Sequence, residues 1–165
     1  MSRIEELEQR VAALERAAAP PVAATTTDVD GRFWVLDGLR PQAVGRGAVT
    51  YAGSVEPHPG ERYEWQMSHH VDDLLDLDDD ARDRLAHTLA ALGHPVRLAV
   101  LAAVLDGTTK TAELGERADL ATSGQVYHHV RALTSAGWLK AAGRGHVTVP
   151  PERVVPLLVA LGVAS

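Results

Sequence analysis

The chemically most versatile stretch of this sequence lies between residues 122 and 135, where a helix is predicted with polar side chains along one side. Val126, Val130 and Leu133 lie within about 60° of one another on a helix that turns about 100° per residue, so they are predicted to be buried. The opposite side and its flanks contain no acidic residue and consist of Gly124, Gln125, Tyr127, His128, Arg131 and Ser135. The polar side chains among them can bond base edges and phosphates. This side is therefore predicted to contact DNA.

Neighbouring residues extend the predicted surface toward the DNA backbone. Thr122-Ser-Gly-Gln125 is a capping box that opens the helix, whose N-terminus attracts phosphate. Thr111 is predicted to cap the preceding helix, and Arg144 lies at the tip of a glycine-flanked hairpin, placed to enter the minor groove or clamp phosphate. The predicted DNA-binding set is Lys110, Thr111, Thr122, Ser123, Gly124, Gln125, Tyr127, His128, Arg131 and Arg144.

The elements that must position these residues follow one another closely after residue 79. Helices are predicted over 81–92, 96–105, 111–118 and 122–135, then short strands over 138–142 and 146–149, and a last helix from 150 onward. The second of these helices is almost wholly apolar and is predicted to be central and buried. This order predicts a winged helix-turn-helix in a mainly α (α+β) chain.

Three runs of this region resemble one family. Leu92-Gly-His-Pro-Val-Arg-Leu-Ala-Val-Leu101 is similar to the "LG-x-P-x-R-x-x-I/L-x-x-L" opening of ArsR-type regulators. The run from Ser123 to Leu133 resembles their recognition helix, and Ser135-Ala-Gly-Trp-Leu139 resembles their "x-AG-x-L" run into the wing. The resemblance covers roughly residues 85–162. It implies a symmetric dimer, usually a repressor of transcription until an effector binds, with Gln125, Tyr127, His128 and Arg131 facing DNA.

Metal-sensing members of that family carry cysteines in the helix before the recognition helix, or Asp and His ligands in the last helix. Here 111–118 contains no cysteine, and 151–162 contains neither Asp nor His. No metal and no cofactor are therefore expected, and the implied effector is not a metal. His69-His70 with Asp72 and Asp73 form a looser cluster, either a surface turn or a metal site.

Composition leaves room for these assignments. The 165 residues carry a net charge of −6, but seven aspartates lie between 72 and 83, whereas residues 94–153 sum to about +2. There is no cysteine and no apolar leader, so a cytoplasmic protein is expected. No phosphate loop or nucleophile motif appears, and no enzyme is expected. A protein-interaction module and a small-molecule-binding protein remain as alternatives.

The N-terminal segment is predicted to strengthen a homodimer. Its apolar residues follow the a and d positions of two heptads, and in a parallel pair Arg3 would face Glu8 and Arg10 would face Glu15. The predicted dimerisation residues are Ile4, Leu7, Val11 and Leu14. The alternative is an amphipathic helix packed on its own domain. A coiled-coil helix over 1–19 is thus followed by a linker over 20–30.

The segment 31–70 precedes the predicted DNA-binding domain over 71–165. It is expected to contain a helix over 31–40, with a strand over 33–36 as the alternative, and a hairpin with strands over 47–56 and 62–67. Aromatic residues recur in this segment, and those predicted to line an effector pocket are Trp34, Tyr51, Tyr63 and Trp65. The alternative is a small core below the hairpin.

Overall fold

The computed structural model of the chain describes residues 34–117 and 123–165. The chain divides into two compact units, Met1–Gly38 and Leu39–Ser165. The predicted coiled coil over 1–19, with Ile4, Leu7, Val11 and Leu14, and the linker over 20–30 lie outside the described residues. Helix α1 (Trp34–Leu39) confirms the prediction of a helix rather than a strand. A 3-10 helix over Arg40–Gln42 follows it, where Pro41 is incompatible with further α-helix.

The second unit is a mixed α+β structure. Its elements, in chain order, are β1 (Ala48–His58), β2 (Glu61–His70), α2 (Val71–Leu75), α3 (Asp79–Ala90), α4 (Pro95–Leu105), α5 (Thr111–Glu116), α6 (Ser123–Ser135), β3 (Lys140–Ala141), β4 (Val147–Thr148) and α7 (Pro151–Val163). The strands form two separate antiparallel hairpins, β1-β2 and β3-β4. Within the described ranges no single helix is long and apolar enough to cross a membrane; α3 and α4 meet that criterion only together, as a pair bent by 77°.

The β1-β2 hairpin is longer than the sequence pattern indicates. Its pairing runs from Ala48 opposite His70 to the turn at Pro59-Gly60, with an irregularity between Val55 and His58. The Thr50 and Ser68 hydroxyls lie 2.7 Å apart across the strands. Such polar cross-strand pairs extend the ladder beyond the stretch where apolar alternation is readable.

One face of this hairpin packs on α7 and the core. An added Cβ at Gly53 would lie 2.8 Å from Cγ1 of Val155, so the strand backbone approaches the helix closely. Val55 and Tyr63 are partly buried against the main core. This pair therefore packs on the main core rather than on a separate small core below the hairpin, and the hairpin belongs to the same unit as the C-terminal half.

Replacing Gly53 by alanine is expected to lower the free energy of unfolding by about 1–3 kcal/mol, because the new methyl would overlap the buried Val155. The matched control is Ala52→Val on the exposed side of the same strand, where added methyls meet solvent. Urea unfolding of both variants checks this prediction. Equal stability of Gly53→Ala and the unmodified protein would show that the strand does not lie this close to α7.

The main core lies among α4, α6 and α7. Pro95 occupies the first turn of α4, whose N-cap residue His94 accepts a hydrogen bond from the Val96 amide at 3.2 Å. The predicted burial of α4 is confirmed by Val100 and Leu101, which are almost inaccessible. The core residues of the three helices include Val100, Leu101, Val104, Val126, Val130, Leu133, Val154 and Leu157.

Helix α3 lies at the edge of this core and buries none of its own residues. It begins two residues earlier than the predicted 81–92, because the Asp78 carboxylate accepts a hydrogen bond from the Ala81 amide at 2.6 Å, and it ends two residues earlier, at Ala90. Its apolar stripe is open: Leu85 is 45% exposed and Leu89 is 54% exposed. The Trp138 indole N–H donates to the Thr88 carbonyl at 2.8 Å and so ties α3 to the start of β3.

Candidate nucleic-acid interface

Helix α6 has one buried and one exposed side, as its periodicity predicts. Val126 and Leu133 have no accessible surface, and Val130 is 7% exposed, which confirms the predicted buried stripe. Tyr127, on the outer side, is 53% exposed. The other exposed residues of α6 on this side and its flanks are Gly124, Gln125, His128, Arg131 and Ser135.

Two of the predicted contact cations, Arg131 on α6 and Arg144 on the β3-β4 hairpin, have no acidic partner among the described residues. Both are exposed. In contrast, Arg46 pairs with Asp72 and Asp76 in the acidic stretch. An exposed cation without an acidic partner keeps its charge free for an anionic ligand such as a phosphate.

The short β3-β4 hairpin presents Arg144 at its turn. Gly143 and Gly145 adopt φ angles of 106° and 74°, which side chains larger than glycine rarely adopt, and they make the tight turn possible. Only two residue pairs form the ladder, because these glycines end it on one side and the buried Trp138 and Leu139 precede it on the other. The predicted strands over 138–142 and 146–149 are therefore too long.

The start of α5 is fastened to this hairpin. Lys110 forms an isolated antiparallel bridge with His146, and the Val147 amide donates to the Thr109 carbonyl at 2.8 Å. The Thr109 hydroxyl also lies 3.0 Å from Nδ1 of His146. These bonds hold the N-terminus of α5 and the Arg144 turn in one arrangement.

Of the predicted contact residues near α5, Thr111 is buried and Lys110 is paired with an acid. Thr111 does not cap α5: the helix begins at Thr111, and Lys110 occupies the N-cap without a side-chain hydrogen bond. The Thr111 side chain is buried and its backbone amide donates to the Gly145 carbonyl at 2.8 Å. The prediction that Thr111 belongs to the DNA-contact surface is therefore wrong. Lys110 is exposed, but its ammonium lies 2.7 Å from the Glu113 carboxylate, which raises the Lys110 pKa. Because an ammonium group has three N–H donors and Glu113 uses one of them, the phosphate contact at Lys110 stays a prediction.

The remaining predicted contacts lie at the start of α6. Thr122, the first residue of the predicted capping box, lies outside the described residues. Ser123 is described only as the first residue of the helix. The capping box therefore stays a prediction, whereas the exposure of Gly124 and Gln125 is observed.

A histidine cluster that the sequence did not predict lies beside this helix. The rings of His94 and His129 have centroids 4.5 Å apart, and those of His128 and His129 are 5.8 Å apart. His128 and His129 are adjacent on α6; His128 is exposed and His129 is half-buried. His94 joins them through tertiary packing. In the part of the chain that the structure describes, no group of three or more His, Cys, Asp or Glu residues is arranged to hold a metal ion.

This environment predicts a pH effect on stability. Burial lowers the pKa of His129 below its ordinary value of 6.5. Electrostatic interactions with His94, His128 and Arg97 lower it further. Below about pH 6.5 the unfolded chain takes up a proton that the folded chain resists, so the free energy of unfolding falls as the pH falls.

Replacing His129 by glutamine is therefore expected to reduce the loss of stability between about pH 7 and about pH 5. Urea unfolding at both pH values measures it, with His87→Gln on the exposed side of α3 as the control. The same pH dependence in His129→Gln as in the unmodified protein would contradict the prediction.

The aromatic residues of the β1-β2 hairpin serve separate contacts. Tyr63 packs on the core and its hydroxyl donates to Glu61 at 2.9 Å. Tyr51 stacks on His69 with ring centroids 6.1 Å apart. Trp65 lies opposite Gly53, and its indole nitrogen is buried without a hydrogen-bond partner. Trp34, which belongs to the first unit, is 69% exposed.

No protein-family profile matches this chain, and no sequence among curated proteins matches it.

Proposed function

We propose that this protein is a homodimeric, sequence-specific DNA-binding regulator of transcription, a repressor built on a winged helix-turn-helix. In this proposal α5 and α6 are the helix-turn-helix, α6 is the recognition helix and β3-β4 is the wing. The observation that carries the proposal is the exposed, acid-free side of α6 opposite its fully buried stripe. Such a helix enters a major groove with its polar side against the base edges.

The order of the elements supports this fold assignment. Helices α3, α4, α5 and α6 are followed by the short β3-β4 hairpin and then by α7. The isolated antiparallel bridge between Lys110 and His146 joins the residue before α5 to the residue before β4. This arrangement places Arg144, at the hairpin turn, on an element anchored to the start of α5, as a wing requires.

The distribution of charge supports DNA as the ligand despite the net charge of −6. The aspartates gather in α2 and the first half of α3, where Arg46 binds Asp72 and Asp76. No acidic residue belongs to α6, and the exposed cations Arg131 and Arg144 have no acidic partner in the described ranges. The local charge of the contact surface governs DNA binding more than the sum over the chain does.

The open apolar stripe of α3 supports a dimer. Leu85 and Leu89 are large apolar residues at one face of a helix that buries none of its side chains. A second copy of the chain is the proposed cover, because a twofold axis would also place two recognition helices about 34 Å apart on successive major grooves. The predicted zipper over 1–19 would reinforce this contact.

A selection of bound duplexes from a random DNA pool tests the proposed function. The full-length protein is expected to enrich a motif with twofold symmetry, whose half-sites lie about one helical turn apart. Failure to enrich any sequence at low salt would overturn the proposal and favour a protein-interaction module.

Replacing Arg144 by glutamine is expected to weaken binding to all duplexes alike and to reduce the slope of log K against log salt by about one per lost phosphate contact. The physical reason is that a cation that contacts a phosphate releases counterions from the DNA but does not discriminate between base pairs. Anisotropy titrations at several salt concentrations measure it, with Arg62→Gln on the β1-β2 hairpin as the control. An unchanged slope, or a changed sequence preference, would contradict a phosphate contact.

A further inference from the structure

Two adjoining grooves lie between α3 and the C-terminal half of α6. One has a volume of about 410 Å³ and extends along Arg84, His87 and Thr88 to Ser135. The other has a volume of about 280 Å³ and continues from His87 and Ser135 to Arg97. Because they share His87 and Ser135, we describe them together as the α3-α6 groove. Its size is that of a small-molecule site.

Arg97 at the inner end of the groove has an unused hydrogen-bond donor. Its Nη2 donates to the carbonyl of Ala90, the last residue of α3, at 3.1 Å. Its Nε is buried and has no hydrogen-bond partner, and Arg97 forms no ion pair within the described ranges. A buried N–H of a charged group without a partner is costly, so its presence beside a groove points to a ligand that completes it.

The other groups along the groove suit an anion. Arg84 and His87 are exposed on α3, and Ser135 contributes a hydroxyl from α6. Arg84, like Arg97, has no acidic partner among the residues that the structure describes. Asp83 is the one carboxylate along the lining, and it lies with Arg84 in the larger groove, away from the Arg97 end.

The Arg97 guanidinium also acts on His129. Burial is the largest cause of the lowered pKa of His129, and electrostatic interactions with His94, His128 and Arg97 act in the same direction. No acid contributes to this effect. An anion bound at Arg97 would offset the positive charge of the guanidinium and so raise the pKa of His129.

We propose that the α3-α6 groove binds the oxyanion group of a small-molecule effector, a carboxylate or a phosphate. Arg97 and Arg84 supply the positive charge, and His87 and Ser135 complete the hydrogen bonds. Because Ala132 and Ser135 belong to the recognition helix, a ligand held there would contact α6 and α3 together. The effect of the ligand on DNA binding rests on the proposed function, whereas its binding does not.

The first experiment measures binding without DNA. Inorganic phosphate and acetate are each titrated into the full chain against chloride at matched ionic strength, and NMR follows the Trp138 indole, which bonds to the groove residue Thr88. A saturable shift of the Trp138 indole signal is expected with the anion that binds. The pKa of His129 is expected to be higher in the presence of that anion. The double variant Arg84→Gln/His87→Gln is expected to weaken the binding by about fivefold or more, because it removes charged and donor groups. Arg62→Gln, which also removes one exposed cation but on β2, is the control and should bind unchanged.

Three results of this experiment would overturn the site: no saturable shift with either anion, equal affinity in the double variant, or loss of binding in Arg62→Gln. Arg97→Lys keeps the charge but removes the buried Nε donor, and it is expected to weaken binding by about threefold or more. Because Arg84 and His87 are exposed, the double variant remains informative even if Arg97→Lys unfolds.

The second experiment measures DNA binding with and without the anion. Saturating anion is expected to change the affinity for the selected duplex by about threefold or more in the unmodified protein, and to leave the double variant unaffected. If the double variant loses DNA affinity with no anion present, the groove holds the DNA backbone and the effector assignment is wrong. Anion binding without any change in DNA affinity would also overturn the effector assignment. A protein that binds no DNA but still binds the anion would refute the proposed function and leave the site in place.

Discussion

Replacing Arg131 by alanine is expected to weaken binding to the selected duplex by about tenfold or more and to relax the preference for at least one base pair in each half-site. The guanidinium lies on the exposed side of α6 and has no acidic partner in the described part of the chain. A bidentate arginine contact to guanine contributes about 1–3 kcal/mol of discrimination. In a symmetric dimer the substitution removes this contact twice.

The matched control is Arg62→Ala, which removes an exposed arginine from β2 on a different part of the unit. It should leave DNA affinity and sequence preference unchanged. Gel-shift titrations with the selected duplex and a scrambled duplex measure both quantities. Unchanged affinity of Arg131→Ala for the selected duplex would show that the reading face of α6 is wrongly placed.

Replacing Leu133 by alanine is expected to have the largest effect on stability, a loss of about 2–5 kcal/mol in the free energy of unfolding. Leu133 has no accessible surface and packs with Val126 and Val130 on the inner side of α6. Removing its side chain leaves a cavity that the surrounding helices can fill only in part.

The control for this prediction comes from the opposite side of the same helix. His128→Ala should change stability by no more than about 0.5 kcal/mol, because His128 is exposed, while it should weaken DNA binding. Urea unfolding compares the two variants. A similar loss of stability for both would mean that α6 does not have one buried and one open side.

The phase of α6 and the burial of α4 could be predicted from the sequence, because both depend on apolar periodicity within a single helix. The β1-β2 hairpin could be predicted for the same reason, since its alternation has a period of two. The pair between Lys110 and Glu113 was also readable from its spacing of three residues on a helix, although it was not predicted.

Other features depend on contacts between distant parts of the chain. Thr111 is buried because residues 109–111 pair with residues 145–147, and no local pattern indicates that pairing. His94 meets His129 only once α4 packs on α6. The apolar spacing of Leu85 and Leu89 can be read from the sequence, but periodicity identifies an apolar side without showing what covers it.

NMR mapping of the full-length protein on addition of the selected duplex shows directly whether α6 contacts DNA. The amide signals of Gly124, Tyr127, His128 and Arg131, with that of Arg144, are expected to change most, and those of β1 and β2 are expected to change little. Changes concentrated in the β1-β2 hairpin, with the outer side of α6 unaffected, would contradict the proposal that α6 contacts DNA.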